Sequence, residues 1–148
     1  MNYDIWGPWN SRVGPNAPLA DACAATAYQL GSATSAVKAW SGAGFPEDKI
    51  VLGVPGYGHS FRVPRNEAYE EGSTTLASYP RFESHSQPTG DAWDQYGGTY
   101  NLWGLVDMGY LSPNGSVKSG IGYRYDACSD TVSRKVCHKI TNKRAEYT

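Results

Sequence analysis

Apolar positions change their rhythm along this chain, and the changes divide it into pieces. Met1 to Trp6 reads as a short strand stopped by Gly7-Pro8, and Gly14-Pro15-Asn16-Ala17-Pro18 reads as a loop. From Cys23 to Trp40, Cys23, Ala27, Leu30, Ala33, Val37 and Trp40 recur at spacings of three and four, the period of a helix. Gly31-Ser32 interrupts the run, so the helix predicted is Ser32 to Ser41, with Ser32 as N-cap and Gly42 and Gly44 ending it. Ile50-Val51-Leu52-Gly53-Val54 is then apolar without a break, the pattern of a strand buried on both faces in a parallel sheet. Strand, helix and strand at this length predict one βαβ unit.

Beyond it the pattern loosens. Gly58 to Gly98 is polar and irregular, whereas Thr99 to Leu111 and Val117 to Tyr125 are aromatic and β-branched runs joined by Ser112-Pro113-Asn114-Gly115-Ser116. Asn-Gly between two such runs predicts a hairpin turn. Asn114-Gly115-Ser116 is also a glycosylation sequon, usable only in a secretory pathway; a plain turn is the reading preferred at Asn114, because Met1-Asn2-Tyr3-Asp4 has neither the basic start nor the apolar run of a signal peptide. Val132 to Thr148 crowds Arg134, Lys135, Lys139, Lys143 and Arg144 among few apolar residues, and it reads as a solvated or frayed tail. A βαβ unit cannot form a domain by itself, since its parallel strands need neighbours. The sequence therefore reads as part of something larger.

Composition narrows the function classes. Aromatic residues make up 13% of the 148 residues and charged residues only 18%, which argues against general disorder. A net charge of −1 calls for neither nucleic acid nor an anionic membrane, and no stretch approaches a membrane span. Three cysteines, Cys23, Cys128 and Cys137, cannot all pair within one chain. None sits at a zinc-binding spacing, so neither a metal nor a cofactor is expected.

Three stretches together resemble fungal-type chitinases of glycoside hydrolase family 18. Met1-Asn2-Tyr3-Asp4 matches the motif that ends the sixth barrel strand, and Val51 to Phe61, with Gly56-Tyr57-Gly58-His59, matches the seventh strand and the loop after it. Trp103-Gly104-Leu105 through Gly122 to Cys128 is similar to the small α+β insertion that walls one side of the substrate cleft. The resemblance implies an α/β fold, a partial (β/α)₈ TIM barrel over 1–61 with an antiparallel α+β insertion over 62–131; the basic tail at 132–148 stands where an eighth strand would follow and matches nothing in the family. It implies chitin or a chitooligosaccharide as partner and an extracellular location, although this chain shows no signal peptide. The family hydrolyses its polymer with the substrate's acetamido oxygen as nucleophile and one Glu as general acid.

By the same resemblance Tyr3 and Asp4 would hold the acetamido group, with Tyr57 facing the cleft and His59 standing where many relatives carry Arg. Trp6 and Trp103 are stacking candidates. For each there is a bland alternative: core packing for the aromatics, a backbone contact for His59, and a cap for Asp4. The catalytic Asp-x-x-Asp-x-Asp-x-Glu run is absent among the eight Asp and six Glu; Asp91-Ala92-Trp93-Asp94 is the nearest spacing, and it continues Gln95-Tyr96. Barrel strands one to five find no counterpart, and a Cys expected near Gly97-Gly98 to partner Cys128 is missing. The expectation is a truncated chitinase-like chain that keeps part of the cleft and does not hydrolyse. A non-catalytic chitin binder and a fragment without function are the alternatives, and exposed barrel edges would favour self-association.

Overall fold

The computed structural model describes residues 1–84, 90, 92–93, 98–136 and 144–147. Its regular elements are α1 (Ala33–Gly42), β1 (Tyr57–Pro64), β2 (Ala92–Trp93), β3 (Gly98–Asn101), α2 (Leu102–Asp107), β4 (Gly122–Asp126), β5 (Thr131–Val136) and β6 (Arg144–Tyr147). The strands form one sheet in the order β2-β3-β1-β6-β5-β4, and every pairing is antiparallel. At its centre, β1 pairs Tyr57 to Ser60 with β3 and Phe61 to Pro64 with β6.

α1 forms where its cap predicts. Ser32 accepts the Ser35 N–H on its side chain while Ser35 Oγ accepts the Ser32 N–H, a reciprocal box that satisfies two otherwise orphaned donors. At the other end Gly44 adopts φ +89°, which suits glycine. The spacing continued backwards to Cys23 does not give a longer helix: only a single 3₁₀ turn, Thr26–Tyr28, forms before Gly31-Ser32.

Neither apolar run flanking α1 is a hydrogen-bonded strand, contrary to the βαβ expectation. The two runs do lie side by side, since a Cβ on Gly53 would sit 3.4 Å from Tyr3 Cε1 and 3.6 Å from Met1 Cα. No ladder joins them among the described residues. Val51 and Val54 are 91% and 77% exposed and Leu52 is also exposed, while Ile50 is half-buried. Parallel strands are stable when both faces are covered, and nothing covers Val51 here. The Ile5 N–H instead bonds the Asn16 carbonyl, and Asp4 turns the chain with φ +56°.

Three further expectations change. Tyr57 to Phe61, matched to a loop, lies in β1. Thr99 to Leu111 is not one strand, because it passes from β3 into α2. The stretch read as a frayed tail contributes β5 and β6, so Thr131–Val136 and Arg144–Tyr147 are sheet strands. Two apolar clusters support the sheet. Val13, Phe61, Val63, Ala68 and Leu76 pack on one part of β1, and Tyr100, Leu105, Tyr110 and Leu111 join β3 to α2.

A disulfide links Cys23 to Cys128, with Cα atoms 5.7 Å apart. The partner of Cys128 is thus Cys23, not a residue near Gly97-Gly98; Cys137, Asp91 and Asp94 lie outside the described residues. Close by, the Leu19 N–H bonds the Ser129 carbonyl at 2.8 Å, so covalent and backbone links fasten the α1 half to the sheet half.

Candidate functional site: a carboxylate clasped by Tyr57 and His59

The site grows from one turn and one strand. Asp4 occupies the left-handed region, unusual for a residue with a side chain, which ends the extended run from Met1. Its N–H bonds Asn16 Oδ1 at 3.1 Å, and Asn16 Nδ2 donates to the Tyr57 carbonyl at 3.0 Å. Asn16 therefore fixes the Asp4 backbone against the start of β1. Tyr57 and His59 are two apart on that strand, so both side chains project from one face.

On that face the Tyr57 hydroxyl donates to Asp4 Oδ2 at 2.7 Å, and His59 Nε2 lies 2.9 Å from Asp4 Oδ1. Both carboxylate oxygens thus accept. The Asp4 side chain remains 40% exposed, whereas that of His59 is 9% exposed. Burial, followed by the hydrogen bond to Asp4 and the nearby negative charge, pushes the Tyr57 hydroxyl up to about 12. Tyr3 packs edge-on against Tyr57 with ring centres 6.2 Å apart, and its hydroxyl donates to the Met1 sulfur at 2.7 Å. A thioether is a weak acceptor, so that bond is readily exchanged for a better one.

The two tryptophans named from sequence are placed differently. Trp6 is buried, with its ring 5.3 Å from that of Tyr79 and 6.1 Å from that of Tyr28, and it lines the cavity behind Tyr57 and His59 without presenting its ring to solvent. Trp103 is exposed on α2, and no described contact brings it to Asp4. The tryptophan that does reach the cluster is Trp9, which the sequence reading passed over. It is 59% exposed, with its ring edge-on to His59 at 5.6 Å. Gly7 makes this possible, since a Cβ there would lie 2.3 Å from Trp9 Cη2. Five residues after Asp4 in a Gly-Pro turn, Trp9 could have been found by asking which ring the turn folds back.

Behind Tyr57 and His59 lies a cavity of about 280 Å³, lined also by Trp6, Asn16, Pro55 and Val132. It is a little smaller than the ~300–1,000 Å³ usual for a small-molecule pocket. Among the described residues, no group of three His, Cys, Asp or Glu gathers as a metal site.

Comparison with known proteins places the chain in a family. A chitinase-like effector of Moniliophthora roreri is 53% identical over 144 residues, covering 88% of this chain and 35% of that protein. Its counterpart in Moniliophthora perniciosa is 47% identical, with 88% of this chain and 32% of that protein covered. This chain thus spans about a third of those relatives. The crystal structure of a chitinase from Rhizomucor miehei superposes with a TM-score of 0.71 and 28% identity, covering 99% of this chain and 40% of that one. The model of the family described as glycosyl hydrolases family 18 matches residues 1–133, and the chain belongs to that family.

Proposed function

We propose that this chain binds N-acetylglucosamine oligomers through the Asp4 cluster and does not cleave them. The observation that carries the reading is the paired clasp on Asp4, with Oδ2 held by Tyr57 and Oδ1 by His59, open to solvent beside Trp9. An acetamido group needs an acceptor for its N–H and a donor for its carbonyl. Asp4 keeps outward lone pairs, and Tyr3 can move its proton from the Met1 sulfur to the carbonyl. Trp9 presents an exposed ring on which a sugar face can stack. The run–helix–run at 1–54 then corresponds to the end of a family barrel, with the antiparallel sheet as one cleft wall.

Turnover needs a carboxyl that protonates the glycosidic oxygen. Asp4 accepts hydrogen bonds at both oxygens, which makes it an orienting group and not a proton donor. The family's Asp-x-x-Asp-x-Asp-x-Glu run does not occur in this sequence. Titration calorimetry with chitotetraose tests this reading. Binding by the native chain, weakened roughly tenfold or more by Asp4→Ala and by Trp9→Ala, is expected, since each removes a contact worth about 1.4 kcal/mol or more. Equal affinity in all three proteins would refute the site.

A further inference from the structure

We propose that Asn114 is an N-glycosylation site and that the chain matures in an oxidising secretory compartment. Two independent observations meet here. The first is local. Of the seven asparagines, only Asn114 stands in an Asn-x-Ser/Thr sequence with x other than proline. The structure puts it at the tip of an exposed loop. Ser112 and Ser116 close that loop through Ser112 N–H to Ser116 carbonyl at 2.8 Å, and Leu111 bridges Val117 below it. Gly115 takes φ +84°, so the loop turns tightly away from the sheet. The Asn114 side-chain oxygen accepts the Ser116 N–H at 3.1 Å, which leaves the amide nitrogen as the outward end and brings the serine beside the amide.

The second observation is the Cys23–Cys128 disulfide, which ties residues 105 apart. Disulfides of this structural kind persist in secretory and extracellular compartments and are rare in the cytosol. The compartment that stabilises this crosslink is the one in which the sequon is accessible to glycosyl transfer. In that step Asn114 Nδ2 forms a C–N bond to the anomeric carbon of an oligosaccharide carried as a polyprenyl pyrophosphate ester. The C–O bond to the pyrophosphate breaks, the lipid pyrophosphate leaves with the electron pair, and the amide gives up one proton. No electrons are exchanged with an outside acceptor.

The Asn-Gly pair has a rival chemistry, ring closure by the Gly115 nitrogen onto the Asn114 amide with loss of ammonia. That nitrogen is engaged, since the Gly115 N–H bonds the Ser112 carbonyl at 2.8 Å. The test separates the two. Full-length chain recovered from the producing organism is digested, and the Asn114 peptide is weighed before and after enzymatic glycan removal in heavy-oxygen water. The expected result is a glycopeptide in which glycan removal converts Asn114 to an aspartate carrying heavy oxygen. The glycan should be lost in Ser116→Ala and in Asn114→Gln and kept in Ser116→Thr. An unmodified Asn114, or an aspartate already present there with light oxygen, overturns the proposal.

Discussion

Tyr57 links the site's geometry to a measurable titration. Its hydroxyl is pushed up to about 12 from 10.0, first by burial and then by the hydrogen bond and charge of Asp4. A folded-state pKa above the unfolded value means that the stabilisation is fully present below pH 10 and is lost as pH rises through 12. Tyr57→Phe should therefore lose less stability than the native chain between those values, read as urea midpoints across the window. Asp4→Asn removes the charge and leaves the burial, so the Tyr57 titration should fall part of the way towards 10.0; an unchanged tyrosinate absorbance curve would contradict the Asp4 contact. Tyr3, Asp4, Tyr57 and His59 were named through the family resemblance of two short motifs, and the contact that gathers them spans more than fifty residues, which no local pattern shows. The sequence could not separate Trp6 from Trp9. That difference depends on whether a ring meets Tyr28 and Tyr79 or folds over Gly7, contacts between residues far apart or across a turn.

Elements were legible where their stabilisation is local. The Ser32 cap of α1 was readable because its partner, Ser35, lies three residues on. Ser32 is also buried and its hydroxyl donates to Asp21 Oδ1 at 2.8 Å, so its loss leaves two groups unsatisfied. Ser32→Ala should cost about 1–2 kcal/mol in chemical denaturation; a cost near zero would show that the cap does not hold the helix. Strands were less legible. Met1 to Trp6 and Ile50 to Val54 have strand composition, yet an apolar run becomes a strand only when another strand and a covering layer meet it. In the opposite sense, the basic residues of β5 and β6 hid two strands that pair with β4 and β1, although Thr131, Val132 and Val136 are β-branched. The Asn114 turn was predicted, and Gly115 supplies its positive φ.

For the whole molecule, the disulfide joins the α1 half to the sheet half across 105 residues. Closing so long a loop restricts the unfolded chain, and its removal from a small domain typically costs about 2–5 kcal/mol. Cys23→Ala should lower stability within that range and by the same amount as Cys128→Ala or the double variant, as read by thermal or denaturant unfolding. A double variant much worse than either single one would mean that the two cysteines act separately. The same long-range architecture builds the proposed binding site, because Asp4 from the first turn meets β1 more than fifty residues later. The most direct test is a native mass spectrum of the chain incubated with chitohexaose. A complex carrying the intact hexamer, unchanged over prolonged incubation and with no shorter oligomers released, is the predicted result. Shorter oligomers accumulating with time, or no complex at any concentration of the hexamer, would contradict it.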